Sequence, residues 1–295
     1  MFSKVRKHKL LYLPFFYCFL APINISSDYK WSPSAATVAG NSECGPDLAR
    51  LHRPSSVCID DRGGIFVADQ HNHRIVKWMP HGKRGKLVGT GKGIGNGQME
   101  LNCPTDVIFD SETDSLIISD YGHKRVVQCS FGNNECMTTV IQDIKCRELA
   151  MDYQRRLYVT NEENHEVKQF VLVQKSDKIK AKDNGKVVAG GHGQGNGLNQ
   201  LNHPQCVFVD EYLQVYVSDS DNHRVMKWKE DAQVGEVVAG GNGEGSALTQ
   251  LKIPSGLFVD SLGNLYVVDN GNERVMRWCR GMSSVSVVAG GNGPG

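Results

Sequence analysis

Two places beyond a recurrent proline, this chain of 295 residues sets Ser56, Asp106, Cys206 and Gly256, and Glu148 joins them where Cys146 stands in the proline's place. If these positions share one level of a cavity, Asp106 and Glu148 put two carboxylates side by side. With backbone carbonyls they could hold a Ca²⁺ ion, and they fit equally as solvated charges on an open rim. Three histidines, His73, His165 and His223, recur at one turn position in separate units, so they do not converge on a shared ion or base. The glycine strings Gly89 to Gly97 and Gly190 to Gly195 have the composition of phosphate loops. Each leads through Leu-x-x-Pro into another strand pattern, however, where a dinucleotide site needs a helix, so they read as connectors.

The elements that must position these residues form an array. Asp60, Asp110, Asp152, Asp210 and Asp260 end similar apolar runs at spacings of 50, 42, 58 and 50 residues, and periods of this size mean repeat architecture. Each unit holds short alternating runs, such as Leu257 to Val259, Leu265 to Val268, Arg274 to Trp278 and Val285 to Ala289. Four short strands per unit, rich in Val and aromatics and separated by Gly, Asn and Asp, predict antiparallel sheets. No helical stripe interrupts them. Successive four-stranded sheets about an axis make a propeller, whose first strand, apolar on both faces, lies innermost.

The turn after the second strand repeats a signature. It reads Asp69 with Asn72-His73-Arg74, Asp120 with His123-Lys124-Arg125, Asn161 with Asn164-His165-Glu166, Asp219 with Asn222-His223-Arg224, and Asp269 with Asn272-Glu273-Arg274. Together with the LYVVD and VVAGG strands, this resembles the NHL repeat family from Thr37 to Gly295. The resemblance implies a six-bladed propeller used as a recognition platform for proteins, peptides or RNA. The fold expected is therefore an all-β, NHL-type β-propeller with five four-stranded blades at about 41–90, 91–141, 142–190, 191–240 and 241–290. A spare outer strand, Ala36 to Gly40, precedes them, and an incomplete six-bladed ring is expected because GGNGPG repeats the opening of a connector.

Because the Asp and Arg of the turn recur, they read as architectural, the Asx side chain capping turn amides and the Arg reaching a carboxylate or carbonyl in the same hairpin. Residues peculiar to one blade are better candidates for function. On the channel-mouth face these are Arg53, Asp106, Glu148, His203 and Gln205, expected to bind ligand, with Asp106 and Glu148 also the candidate metal ligands. The third unit departs most: a lysine-rich stretch, Lys175 to Lys186, is expected as a loop between outer strands, where it could meet acidic partners or phosphate.

Composition bounds the rest. A net charge of +1 gives no bulk attraction to nucleic acid or acidic membranes, and the lysine stretch lacks aromatics for base stacking, so nucleic acid is not an expected partner. Residues 1–27 join a cationic start to a short apolar core, Leu10 to Leu20, and read as a signal peptide, or else a short anchor, with a linker to 35. Its removal would leave eight cysteines, an even number suited to an oxidising compartment, and Cys129 with Cys136 is the pair a hairpin could bring together. No C-x-x-C spacing occurs, so a RING-type zinc module is absent.

These features point to a secreted, monomeric, non-catalytic module that binds a protein or peptide, needs no cofactor and has Ca²⁺ as its one candidate ion. One alternative is an enzyme similar in outline to calcium-dependent lactonases or to the lyase that matures amidated peptides. Another is an intracellular NHL platform for protein or RNA.

Overall fold

A computed structural model describes residues 36–41, 43–88, 100–130, 137–176, 178–281 and 284–291. The signal segment, the first glycine string, Cys136 and the last four residues lie outside them. The described chain is all β apart from single 3-10 turns, and its strands form five antiparallel sheets around a central channel. Blade 1 comprises β1 (Ser56–Ile59), β2 (Ile65–Asp69), β3 (Arg74–Trp78) and β4 (Lys86–Val88). Blade 2 comprises β5 (Pro104–Asp110), β6 (Ser115–Asp120), β7 (Arg125–Ser130) and β8 (Met137–Gln142). Blade 3 has β9 (Cys146–Met151), β10 (Arg156–Asn161), β11 (Glu166–Lys175), β12 (Lys178–Ala181) and β13 (Lys186–Gly190). Blade 4 is β14 (Pro204–Val209), β15 (Val215–Asp219), β16 (Arg224–Trp228) and β17 (Glu236–Gly240); blade 5 is β18 (Pro254–Val259), β19 (Leu265–Asp269), β20 (Arg274–Trp278) and β21 (Val285–Gly290).

Short polar side chains make the turns. The Asp that ends each innermost run caps the first hairpin: Asp210 Oδ1 accepts the amides of Tyr212 (3.0 Å) and Gln214 (2.8 Å), and Asp260 does the same for Leu262 and Asn264. At the second hairpin, Asp219 takes the Asn202 amide on Oδ1 (2.6 Å) and Arg224 Nε on Oδ2 (2.6 Å). The remaining Arg224 nitrogens donate to the carbonyls of Asn196, Gly197 and Gln200 in the incoming connector. Arg74 and Arg274 repeat the arrangement, so in blades 1, 4 and 5 this buried pair fastens the connector to the blade it enters. The partners of the Arg thus lie in the connector as well as in its own hairpin. Gly240, at φ +68, closes the motif, since a Cβ there would stand 2.4 Å from the His223 carbonyl oxygen.

The third unit inverts the chemistry. Asn161 Nδ2 donates to Glu166 Oε1 at 2.9 Å, an amide and a carboxylate where other blades hold a carboxylate and a guanidinium. Its connector is the short one without a glycine string, so there are no looped carbonyls for an Arg to gather.

Apolar layers between blades form the core. Ile75 and Phe66 meet Val107 and Leu116; Ile117 and Val126 meet Leu149 and Leu157; Tyr158 meets Val217 and Trp228; Val225 meets Leu257 and Val267. A fifth cluster holds Val67, Val76 and Trp78 of blade 1 with Ala39, Leu48 and Leu51, and no residue of blade 5.

Two expectations are corrected. Ala36 to Gly40 is not a strand: among the described residues it pairs with no strand, and the third strand of blade 5 is already paired by β21. The lysine stretch is not a loop: β11 runs on for ten residues and pairs with β12 beyond the point where β13 leaves it, giving blade 3 five strands. Burial of Ile179 against Val140 and Ile141 of blade 2, and donation of its amide to Gln128 Oε1 (2.9 Å), hold the extra hairpin down.

Candidate functional site

Second-hairpin turns and connectors share one face of the propeller, and the channel opens there. Cys146 pairs with Asn161 as Pro204 pairs with Asp219, so Cys146 does occupy the proline position and Glu148 is level with Asp106. A cavity of about 270 Å³ is lined by all five blades, including Ser56 of blade 1, Asp106 of blade 2, Glu148 of blade 3, Gln205 of blade 4 and Gly256 of blade 5.

Around this ring the side chains bridge neighbouring blades. The Ser56 hydroxyl donates to Asp106 Oδ1, and the Leu149 amide of the next blade donates to Oδ2 at 2.7 Å. The Cys206 thiol donates to Glu148 Oε1 at 3.0 Å, and its sulfur accepts the Leu257 amide at 3.3 Å. Asp106 and Cys206 therefore do the same task, each accepting an amide from the following innermost strand. Burial pushes the Asp106 carboxyl up to about 6, against donors from Ser56, Leu149 and Val107 that pull it down. Burial, and then the neighbouring Asp106 charge, push Glu148 well above the usual carboxylate range. The Cys206 thiol is driven up by burial and by Glu148, so it stays protonated as a donor.

This chemistry bears on metal binding. A hard cation needs ionised oxygens with free lone pairs. Burial and the Asp106 charge push the Glu148 carboxyl well above its usual range, and both Asp106 oxygens already accept hydrogen bonds. Among the described residues no three His, Cys, Asp or Glu converge on a point where a metal ion would sit.

Asp106, Glu148 and Gln205, expected at the mouth, line the channel; Arg53 and His203 do not. Those two precede connector prolines in the left-handed region, φ 48 and 49, as Cys103 and Ile253 do in other blades, which marks the position as scaffold. The His203 amide donates to His165 Nδ1 (3.2 Å), just as the Cys103 and Ile253 amides donate to His73 and His223. The turn histidines thus tie neighbouring blades together. Met137 is the residue directly opposite Cys129, and the proposed partner Cys136 lies outside the described residues.

Arg147, Gln70, Ser255 and Asn270 also line it and were not expected. Their signal was present one residue away. The position just after each proline reads Ser55, Thr105, Arg147, Gln205 and Ser255, and the position after each turn Asp or Asn reads Gln70, Tyr121, Glu162, Ser220 and Asn270. Both vary while their neighbours repeat. Arg147 leans toward Glu162 at 3.8 Å and lies 5.7 Å from the Tyr121 ring centroid, with the Tyr121 hydroxyl donating to Glu162 at 3.0 Å.

Fold and site define a β-propeller whose polar mouth is carried on repeated Asp-Arg turns. Residues 51–78 match the family model of the NHL repeat, so the chain is a five-bladed propeller that carries an NHL repeat. A stretch of 114 residues is 32% identical to the peptidylglycine alpha-amidating monooxygenase of Rattus norvegicus, covering 38% of this chain and 11% of that protein. The chain therefore matches only about a tenth of that relative's length. Among solved structures, a streptogramin B lyase superposes with a TM-score of 0.53 at 12% identity, over 82% of this chain and 69% of that one. A chain of the nidogen/laminin complex does so with a TM-score of 0.58 at 15% identity, over 80% and 79%. At these identities the likeness is one of fold.

Proposed function

We propose that this chain is a non-catalytic, monomeric binding module of the secretory pathway or extracellular space, and that its channel-mouth face takes a protein or peptide ligand. The observation that carries this reading is the contrast between positions. Asp, Arg and His recur from blade to blade because they build the scaffold, while the mouth presents Gln70, Arg147, Gln205 and Asn270 at positions that vary between blades, each able to hydrogen-bond a peptide backbone or carboxylate. A neighbour of the same fold in a protein complex and a partial relative named for peptidylglycine both agree with such a ligand.

A second reading, an enzyme acting on a peptide, rests on Glu148. Its carboxyl, pushed upward by burial and by the Asp106 charge, lines the channel, where a general acid could meet a bound peptide.

One experiment addresses both. Peptides ending in glycine are titrated into the full chain and into Arg147→Glu with Gln205→Ala, with calcium or with chelator, and the mixtures are analysed by mass spectrometry. Saturable binding that the double variant loses, with peptides recovered intact, is the expected result. Product formation abolished by Glu148→Gln establishes the enzyme instead, and a calcium-dependent rise in melting temperature, measured on the same samples and lost in Asp106→Ala, places a metal at the mouth.

A further inference from the structure

The extra hairpin of blade 3 has two faces of different character. Leu172, Ala181 and Ile179 turn toward blade 2. In the opposite set, Val173 faces Lys180 and Lys175 faces Lys178 in the strand register, and the Lys182 amide donates to the Val171 carbonyl at 2.8 Å. Alternation then puts Val171, Val173, Lys175, Lys178, Lys180 and Lys182 on one side of the ribbon. All six are exposed, the two valines at 43% and 46%.

Placing like charges opposite one another destabilises a strand pair, as Lys175 and Lys178 do here. Among the described residues none of the four lysines has a carboxylate within ion-pair distance. Glu230 and Asp231 of blade 4, which reach toward blade 3, are held by Arg156 and Lys186. Among the described residues the fold thus sets a row of cations with no ion-paired carboxylate beside an apolar strip.

We propose that this ribbon face is a second binding site, for an extended acidic segment of a partner protein. The charge selects an anion, and the spacing selects its form. Lys178, Lys180 and Lys182 repeat at every second residue of a strand, roughly 6.7 Å apart, which is also the repeat of acidic side chains at alternate positions of an extended peptide. The row is one strand wide, which suits a chain better than a bilayer plane. It also lacks the aromatic anchors that interfacial membrane binding and single-stranded nucleic acid use.

The test uses the full chain and two fluorescent peptides of identical composition, one alternating Glu and Ser, the other with its Glu in a block. The alternating peptide binds more tightly, its affinity falls at least about tenfold between low (about 0.01 M) and physiological (about 0.15 M) ionic strength, and Lys178→Glu, Lys180→Glu and Lys182→Glu together abolish it. Melting temperature checks that the triple variant folds, and the three corresponding Gln substitutions, which remove charge without reversing it, weaken binding in step. Arg147→Glu leaves it unchanged, which separates this site from the mouth. Equal binding of the blocked peptide overturns the proposal, as does binding only to heparin or to phosphatidylserine vesicles.

Discussion

Asp106 shows how one side chain can be asked for two opposed things. Its carboxylate form accepts three hydrogen bonds, yet it is buried, and burial wins: its pKa is held at about 6 against an ordinary value of 3.8. Between those values the native chain keeps a proton that the unfolded chain has released. Stability contributed by this site is therefore full below the unfolded value, falls as pH rises through the window, and levels off above about 6. The gap amounts to about 3 kcal/mol. Urea unfolding of wild type and Asp106→Asn across the window tests this. The difference between the two proteins should grow in favour of the variant as pH rises, and a flat difference would refute the buried carboxyl.

At the scale of the element, the second hairpin with its connector is the working unit, and one Arg joins them. Because Asp219 is fully buried, Arg224→Ala strands a carboxylate and three carbonyls, and unfolding free energy should drop by about 3–5 kcal/mol. Arg224→Lys should recover little, since a single ammonium cannot span Asp219 and the connector at once. Equilibrium denaturation reads both. The sequence showed that this Asp and Arg recur, and hence that they are structural. It did not show the second half of the contact, because connector carbonyls leave no mark on side-chain identity. The blade 3 hairpin was hidden for a related reason. Its period-2 pattern, Val171 to Lys182, was legible as strand, but lysines at alternate positions also satisfy the description of a solvated loop, and only Ile179 packed on blade 2 decides between them.

For the whole molecule, the joints between blades set the order of stability. Four joints carry full apolar layers, whereas the cluster beside Trp78 draws only on blade 1 and the segment before it. Trp228 is 1% exposed, while its counterpart Trp278 in blade 5 is only partly buried. Amide hydrogen exchange should accordingly be faster in β18 to β21 than in β9 to β11, since local opening follows the density of buried apolar contact. Uniform protection across all five blades would show that the last blade is braced by something outside the apolar layers.

Local patterns determined the all-β class, the five blades, the recurrence of the turn residues and the level shared by Asp106 and Glu148. All of these depend on alternation and on short-range turns, which residue type controls directly. Tertiary structure decided what happens to charge. It alone shows that Glu148 lines the channel and takes a hydrogen bond from Cys206, 58 residues away, that Arg147 and Gln70 belong to the channel lining while Arg53 and His203 do not, and that, among the described residues, four lysines without an ion-paired carboxylate share one face of a ribbon. Those outcomes depend on which blade lies beside which, and on how much water each carboxyl loses there, and neither quantity is written in the spacing of residues along the chain.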